Sequence, residues 1–424
     1  MKRILSILVA LTLLLSMAGI ASAAEPTQIE IWSPLTGAKA STFDALVEGF
    51  NQSQSDVVVT CIHQGGYDVV RQKMAASANA NNMPQMVLAD YIDVPLYVQR
   101  GVLVPMSTIL PEEVMSDFFP GMLVDLTVDG TVYAVPYNRT TQGFVVNKDL
   151  LKQAGIDRVA STWDEFYEDA KAFKEAMGEG YYYSYAYFNQ YTFEAIAYSF
   201  GCTIASADGT AMMTEDEMVN LFKFFRKMYE EDLLCMVPTT SGSFSDQHST
   251  FLEGKVATVF QSSSFIPSAK TLLDCDWSFE YVPAGEGGHA VTIGGTNLAV
   301  TTAANEQEQA AAKKFIEYVT NPENCAKVFV ETSNLPVRQS VLELDSVKEF
   351  MAANPYTEKL LSQMDYARNA SGVTKNVGSV FSSVSDMIVR LIYNGEDIES
   401  TLEEYNELFQ DEFDEKKATD SYIY

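Results

Sequence analysis

The alternation of short apolar strands with helices of about 10–15 residues constrains the fold of this chain more than any other feature. Gln28–Trp32, Val57–Ile62 and Pro84–Ala89 have the β-branched or apolar composition of buried strands. Helical periodicity at Ala38–Asn51 and Tyr67–Ala80 separates these strands. This order predicts an α/β fold in which mostly parallel sheets are flanked by helices.

The chain is too long for one hydrophobic core, yet it contains no flexible linker. It has 424 residues, whereas single cores stop growing at about 250–300 residues, so two lobes are expected. No internal repeat or low-complexity segment divides them. We therefore expect the chain to cross between the lobes several times, forming a hinge beside a ligand cleft.

Two further helices carry clear sequence patterns. Thr162–Met177 begins with Thr162 and has Glu165 three residues later, which predicts a capping box. Glu215–Glu231 has an apolar stripe at helical spacing that predicts a buried face, formed by Met218, Leu221, Phe222, Phe225 and Met228.

Residues 1–24 have the pattern of a secretory signal peptide. Lys2 and Arg3 give a positive start, Ile4–Leu15 is apolar, and Ala21-Ser22-Ala23 matches a cleavage site. An uncleaved membrane anchor is the alternative, although the apolar run is shorter than the ~20 residues that span a bilayer. Ile20 stands where a lipid-accepting cysteine is expected. We therefore predict a periplasmic or extracellular, surface-associated protein without a lipid anchor.

The charge and cysteine content disfavour several classes of partner and site. A net charge of −29 disfavours nucleic acid and anionic membranes as partners. The five cysteines are odd in number and widely spaced, so buried free thiols are favoured over a disulfide framework, with Cys202–Cys235 the candidate for a single bridge. No zinc-finger spacing is present, and an alternating strand explains Cys61-Ile62-His63 better than a metal site does. No cofactor is expected.

Catalytic motifs are absent from the sequence. It contains no nucleophile elbow, no HExxH and no Ser/His/Asp arrangement, and its three histidines are scattered. A glycan hydrolase needs only two facing carboxylates, so this acidic chain keeps that class as a distant alternative. We predict a protein that is not an enzyme.

Ten short motifs occur in a fixed order along nearly the whole chain: Ile31–Gly37, Gly66-Tyr67, Met83–Tyr91, Gly101–Met106, Gly130–Tyr137, Asn147–Leu151, Thr162–Phe166, Phe251–Ala257, Ile293–Gly295 and Asn334–Arg338. In this order they resemble the family 1 extracellular solute-binding proteins, and most closely the glycerol-3-phosphate and carbohydrate binders. Each motif is weak alone, and their order makes the resemblance strong.

The resemblance implies a type II periplasmic-binding-protein fold with two lobes, each discontinuous in sequence. One lobe is expected to contain residues 25–136 plus 292–337, and the other residues 137–291 plus 338–424. It also implies a monomeric receptor that binds a small-molecule solute and delivers it to the permease of an ABC uptake transporter.

A first group of candidate ligand-binding residues lies near strand ends, where ligands of doubly wound sheets bind. Trp32 and Tyr67 offer aromatic rings that stack on sugar faces, although Trp32 is equally well explained as a core residue. Asp90 and Tyr91 follow a buried strand. Asp90 is suited to accept two hydroxyl hydrogen bonds, with a helix cap as its alternative role.

A second group lies at the predicted crossings and at positions that match the family's cleft. Asn138, Thr140 and Thr141 occupy the first crossing, and Gly294 and Gly295 allow close approach of the backbone to a solute. Tyr187 matches a ligand-stacking aromatic, and Gln190 replaces a second one. The remaining matched positions are Ser262, Ser263, Ser264, Thr296, Asn297, Asn334 and Arg338, the last with a structural salt bridge as its alternative role.

Departures from the glycerol-3-phosphate binders indicate the class of solute. Tyr91 replaces a glutamate and Asn334 a tyrosine, and the segment Val373–Val377 offers only Lys375 where those binders have an arginine. Loss of a bidentate guanidinium removes the most effective phosphate anchor. A sugar, oligosaccharide or polyol is therefore favoured, with glycerol-3-phosphate or a related phosphodiester as the alternative.

Overall fold

The computed structural model describes residues 25–185, 190–206, 209–235, 250–368 and 378–420. The predicted signal peptide, Tyr187 and Lys375 lie outside these described residues. Within them, no helix is long and apolar enough to span a membrane.

The strands, β1 to β14 in chain order, are Thr27–Ser33, Val57–His63, Met86–Asp90, Thr127–Val128, Thr131–Val132, Val135–Thr140, Gln142–Asn147, Ser184–Tyr185, Leu234–Cys235, Thr258–Ser262, Trp277–Glu280, Val291–Thr292, Gly294–Val300 and Ala367–Arg368.

The α-helices, α1 to α16 in chain order, are Gly37–Ser53, Tyr67–Ala80, Asp93–Gln99, Glu112–Met115, Pro120–Leu123, Lys148–Gln153, Trp163–Met177, Gln190–Phe200, Asp216–Glu230, Ile266–Leu272, Glu306–Val319, Pro322–Thr332, Asp345–Ala353, Tyr356–Ser362, Gly378–Ile388 and Ile398–Asp420. Short 3-10 turns and one π-helical turn, Val389–Tyr393, complete the helical structure.

The larger sheet has the strand order β2-β1-β3-β13-β6. β1 pairs in parallel with β2 and β3, whereas β13 runs antiparallel to both β3 and β6. Helices cover both faces of this sheet. Phe43 of α1 and Phe315 of α11 belong to the core cluster on one face. Val70 of α2 and Tyr97 of α3 belong to a separate cluster on the other face, which also contains Val87 of β3. This is the predicted α/β arrangement with flanking helices.

A second, three-stranded sheet has the order β10-β7-β11. Both of its pairings are antiparallel, which differs from the predicted mostly parallel pairing. The alternation of strands and helices fixes a parallel direction only within a βαβ unit. β7 instead enters this sheet directly from β6, so no crossover helix sets its direction.

The two sheets meet where β6 passes into β7 through Thr141. The side chain of Gln142 accepts a hydrogen bond from the backbone N–H of Thr292 at 2.9 Å, which joins this crossing to the return crossing at β12 and β13. A backbone hydrogen bond of 2.8 Å from Leu335 to Arg139 adds a third segment. Three separate parts of the chain therefore meet at one place.

The hydrophobic cores follow the two sheets. Val145 and Phe279 of the smaller sheet join the cluster that contains Phe43 and Phe315, while Phe144 of the same strand faces a different cluster. The predicted stripe on α9 lies entirely in that second cluster. All five cysteines are free, so the Cys202–Cys235 bridge is not formed, and Cys202, Cys235 and Cys325 are buried, as expected for structural thiols.

Candidate functional site

Three predicted residues line up across neighbouring strands of the larger sheet. Thr296 on β13 pairs with Asp90 at the end of β3 and with Asn138 on β6. Directly paired residues of antiparallel strands place their side chains on one face of the sheet. Asp90, Thr296 and Asn138, here named the polar row, therefore present an acid, a hydroxyl and an amide side by side.

Tyr67 lies beside the acidic end of the polar row. It begins α2, and its hydroxyl lies close enough to Asp90 and Tyr191 that, after burial, their charges are the next causes raising its pKa. Burial, followed by the charge of Asp93, raises the pKa of Asp90 to about 8. This shift favours the protonated form, in which Asp90 is able to donate as well as accept a hydrogen bond.

Tyr191, at the start of α8, joins the two crossing strands. Its hydroxyl donates to the carbonyl of Thr140 at 3.1 Å and accepts from the backbone N–H of Gly294 at 3.3 Å. Its own carbonyl accepts a hydrogen bond of 2.9 Å from the amide of Gln142. Burial raises the pKa of the phenol to about 12, so the hydroxyl keeps its proton.

Sequence analysis did not select Tyr191, although it directly follows Gln190 in an aromatic-rich segment, residues 181–191. Gln190 begins α8, and Tyr187 lies outside the described residues. The sequence offered no criterion that separates Tyr191 from its aromatic neighbours.

Arg139 is the second important residue that sequence analysis missed. It is fully buried between Asn138 and Thr140, and it donates to Oδ1 of Asn297 at 2.7 Å and to the carbonyl of Ile293 at 2.5 Å. Asp125 lies 3.8 Å from the same guanidinium. A charged residue inside an apolar strand needs such partners, and this requirement was the available clue.

Tyr91 lies against Arg139 rather than in the polar row. Its ring centroid is 5.9 Å from the guanidinium carbon of Arg139, and its backbone N–H donates to the carbonyl of Gly295 at 3.3 Å. Burial and then the charge of Glu194 raise its pKa well above the ordinary value. Tyr91 therefore supports the strand end that carries Asp90.

The two glycines allow close packing of protein against protein. A Cβ on Gly294 would lie 2.6 Å from the ring of Tyr191, and a Cβ on Gly295 would lie 2.0 Å from the carbonyl oxygen of Asn138. Gly295 also has a φ of +109°, which side chains rarely adopt. Without glycine at both positions, Tyr191 and β6 could not approach β13 this closely.

The hydroxyl residues after β10 meet the first crossing. Ser263 accepts a hydrogen bond of 3.2 Å from the backbone N–H of Thr141, whose own hydroxyl donates to Gln363 at 2.8 Å. Ser262 caps the following turn by accepting from the backbone of Ser264 at 3.3 Å. These predicted residues lie together at the junction of the sheets, next to Thr140.

Other predicted residues are engaged in the protein itself. Trp32 donates from its ring nitrogen to Glu30 at 2.7 Å and packs on the cluster that contains Val87. Arg338 forms the predicted alternative, a salt bridge of 2.6 Å with Asp117. Asn297 holds Arg139. The structure therefore gives these three residues structural contacts.

Among the site residues predicted from the sequence, two buried polar atoms lack a hydrogen-bond partner within the described part of the chain. They are Oγ1 of Thr296 and Oδ1 of Asn334, and both residues are fully buried. Asn334 adjoins Leu335, which pairs with Arg139. Buried polar groups are nearly always paired in folded proteins, so these two atoms are suited to hydrogen bonding with a polar solute.

The local charge is negative. Asp90, Asp93, Asp125 and Glu194 all act on the tyrosines of the site. Arg71 pairs with Asp93 and with Asp68, and Arg139 is bound to three partners. Neither Arg71 nor Arg139 therefore offers a free guanidinium to a solute.

Residues 45–355 match the sequence profile of the bacterial extracellular solute-binding protein family. The chain belongs to this family. The family description states that its members are extracellular solute-binding proteins. The chain resembles known members over most of its length.

Three of the similar proteins represent two ligand classes. The sn-glycerol-3-phosphate-binding periplasmic protein UgpB of Yersinia pseudotuberculosis is 23% identical over 376 residues, which are 85% of this chain and 84% of its own. The structure of UgpB from Mycobacterium tuberculosis in complex with glycerophosphocholine aligns with 92% of this chain and 99% of its own, with a TM-score of 0.80 and 24% identity. The cyclic alpha-maltosyl-1,6-maltose binding protein from Arthrobacter globiformis covers the same shares at a TM-score of 0.77 and 21% identity.

These likenesses confirm the predicted two-lobed α/β fold of this solute-binding protein. Both of these structural neighbours are solute-binding proteins by their descriptions, and one of them is in complex with glycerophosphocholine.

Proposed function

We propose that this solute-binding protein is the receptor of an ABC uptake transporter and that it binds a neutral carbohydrate beside the polar row. The observation that carries the proposal is the convergence of Asp90, Thr296 and Asn138 with the ring of Tyr67. Sugars present hydroxyl groups to polar side chains and C–H faces to aromatic rings, and this site offers both kinds of partner.

The energetics of such binding are ordinary. Micromolar affinity corresponds to about −8 kcal/mol. Several hydrogen bonds contribute to this, including bonds to the buried atoms of Thr296 and Asn334, because those atoms have no protein partner among the described residues. A stacked ring adds about 0.5–1.5 kcal/mol beyond the area that it buries.

The alternative solute is glycerol-3-phosphate or a related phosphodiester, and the UgpB relatives favour it. A phosphate would approach Asp90 and its acidic neighbours, while Arg71 and Arg139 already have carboxylate partners. Helix N-termini bind phosphate without arginine, so a phosphate-containing solute stays the alternative. The acidic residues around the site favour a neutral solute.

We further propose that the lobes comprise residues 25–140 plus 292–337 and residues 141–291 plus 338–424. The first boundary is moved from the predicted residue 137 because β6 pairs with β13 in the larger sheet as far as Thr140, so the first crossing lies at Thr141. A solute that contacts both lobes only when they are closed shifts the population toward closure. The receptor is proposed to act as an exported monomer, to deliver its solute to the permease and to leave the solute chemically unchanged.

A thermal-shift screen of the purified protein against neutral sugars, polyols and glycerol phosphates tests the proposal. A solute at 100 times its Kd stabilises the fold by about 2.7 kcal/mol, which appears as a raised melting temperature. Stabilisation by a sugar that mass spectrometry then recovers intact is the expected result. If only glycerol phosphates stabilise the protein, the proposal of a neutral solute is wrong, whereas the proposed receptor role is supported.

A pair of variants then places the solute at the site. Tyr67→Ala is expected to weaken sugar binding about tenfold or more, because it removes the stacking ring. Tyr167→Ala removes a tyrosine of α7 whose hydroxyl bonds to Glu231, and it should leave the Kd unchanged. Equal affinity for both variants would exclude Tyr67 from the binding site.

A further inference from the structure

Three side chains with different donor atoms converge beside the edge strand of the larger sheet. Nε2 of His63 lies 2.9 Å from Oδ1 of Asp44 and 3.8 Å from Sγ of Cys61. All three donor atoms lie within 4.8 Å of one another. The group lies outside the polar row, and the proposed function does not use it.

The local structure explains why these residues meet. Cys61 and His63 are two positions apart on β2, so their side chains share one face of the strand. Val57 and Val59 lie on the same face and belong to the core cluster that also contains Phe43 and Phe50 of α1. Asp44 is carried by α1, so two rigid elements position the three side chains.

We propose that Asp44, Cys61 and His63 form a zinc-binding site with one open coordination position. A thiolate, an imidazole and a carboxylate are the donors that zinc prefers, whereas calcium and magnesium prefer oxygen donors alone. Zinc bonds of about 2.0–2.3 Å in a tetrahedron need donor separations of about 3.2–3.6 Å. The observed separations of 2.9 and 3.8 Å bracket that requirement.

Ser33 supports the imidazole from the other side. Its hydroxyl oxygen lies 3.0 Å from Nδ1 of His63, so Nδ1–H donates to Ser33 when Nε2 faces a metal. Ligating histidines usually make such a bond through the second ring nitrogen, which fixes the ring orientation. The Asp44 side chain is 54% exposed, which leaves a path for the ion and for a water in the fourth position.

The ion would act on the chain segment that leads to the cleft. His63 precedes Tyr67 by four residues, across Gln64, Gly65 and Gly66. Because the ion would link the end of β2 to α1, it would restrict the motion of the residues that begin this glycine-containing loop. The thiol loses its proton as the zinc–sulfur bond forms, so one proton is released for each ion bound.

Zinc titration of the purified, reduced protein, followed by calorimetry, tests the proposal. One equivalent is expected to bind in a buffer that contains excess magnesium, because magnesium competes for oxygen donors only. Cobalt in place of zinc should give a thiolate-to-metal charge-transfer band. Cys61→Ser and His63→Ala should each weaken zinc binding at least about tenfold.

Matched controls exist in the same chain. Cys275→Ser removes another half-buried thiol, and His289→Ala removes a histidine that contacts the carbonyl of Val282. Both should bind zinc as the wild type does. If Cys61→Ser and His63→Ala retain wild-type affinity, the ion binds elsewhere on the acidic surface and the proposal is wrong.

A measurement on the wild-type chain avoids dependence on the folding of variants. Saturating zinc should slow alkylation of Cys61 at least about tenfold, as measured by peptide mass spectrometry, and leave Cys275 unaffected. An unchanged alkylation rate at Cys61 would overturn the assignment.

Discussion

The hydroxyl of Tyr191 donates a hydrogen bond of 3.1 Å to the backbone carbonyl of Thr140. The same hydroxyl accepts a hydrogen bond from the N–H of Gly294, so one phenol on α8 bonds both to β6, which leads into the smaller sheet, and to β13, which pairs with β6. A single side chain thus fixes the spacing of the crossing.

Tyr191→Phe is expected to lower the free energy of unfolding by about 1–2 kcal/mol, because two buried backbone groups lose a partner. Urea denaturation measures the loss. Tyr167→Phe removes a hydroxyl that bonds to Glu231 at the surface, and it should cost less than about 0.5 kcal/mol. Equal losses in the two variants would show that the Tyr191 hydroxyl does not hold the crossing.

Asp90→Asn is expected to stabilise the protein at alkaline pH. Burial, followed by the charge of Asp93, raises the pKa of Asp90 from 3.8 to about 8. The folded protein keeps a proton that the unfolded chain releases near pH 3.8, so stability that is complete below that pH is lost as pH rises through about 8. The free energy of unfolding in urea should fall more for the wild type than for the variant between about pH 5 and about pH 9.

Asp117→Asn should have the opposite effect. Burial opposes the shift, but hydrogen bonds from Ser340 and Arg338 outweigh it and lower the pKa of Asp117. The stability that this carboxylate contributes is present above its unfolded pKa and is lost on acidification. The variant is expected to be less stable than the wild type at about pH 7, and this difference should vanish at about pH 2.

Arg139→Met is expected to cost about 3–5 kcal/mol, because it leaves Asp125 buried beside an uncharged side chain and removes the donor to Asn297. Lys314→Met is the matched control, since Lys314 forms an exposed pair of 3.2 Å with Asp56 and should cost less than about 1 kcal/mol. Guanidinium unfolding compares the two. A small loss for Arg139→Met would mean that the guanidinium is dispensable to the fold.

Gly295→Ala is expected to cost about 3 kcal/mol or more, because its φ is +109° and the new Cβ would lie 2.0 Å from the carbonyl of Asn138. Gly178→Ala shares the positive φ, at +81°, but meets no atom within 4 Å, so it should cost about 1 kcal/mol. The difference in melting temperature between the two variants measures the effect of the close contact with β6. Equal shifts would assign the whole effect to backbone strain.

Local patterns predicted the elements that depend on neighbouring residues. α7 begins after Thr162, whose hydroxyl accepts a hydrogen bond of 3.2 Å from the N–H of Glu165, while the Glu165 carboxylate accepts one of 2.8 Å from the N–H of Ser161. The inward stripe of α9 is buried as predicted. Caps and periodicity involve residues a few positions apart, and the sequence displays those directly.

Contacts between distant segments were not predictable in the same way. Arg139 is held by Ile293 and Asn297, more than 150 positions further along the chain, and strand register sets that contact. The antiparallel order around β7 depends on how the chain enters the second sheet. The polar row was predicted residue by residue, but its alignment across three strands follows only from the pairing of β13 with β3 and β6.

β6, which carries Asn138, leads directly into the smaller sheet, and β13, which carries Thr296, pairs with β6 beside this joint. A mutation at either position would change the proposed solute contacts and the stiffness of the joint between the sheets together, so the two properties cannot be selected separately there. Tyr67, carried by a helix of one sheet only, is free of that linkage. Relatives with new solute preferences should therefore have diverged first at positions such as Tyr67, with the joint itself changing last.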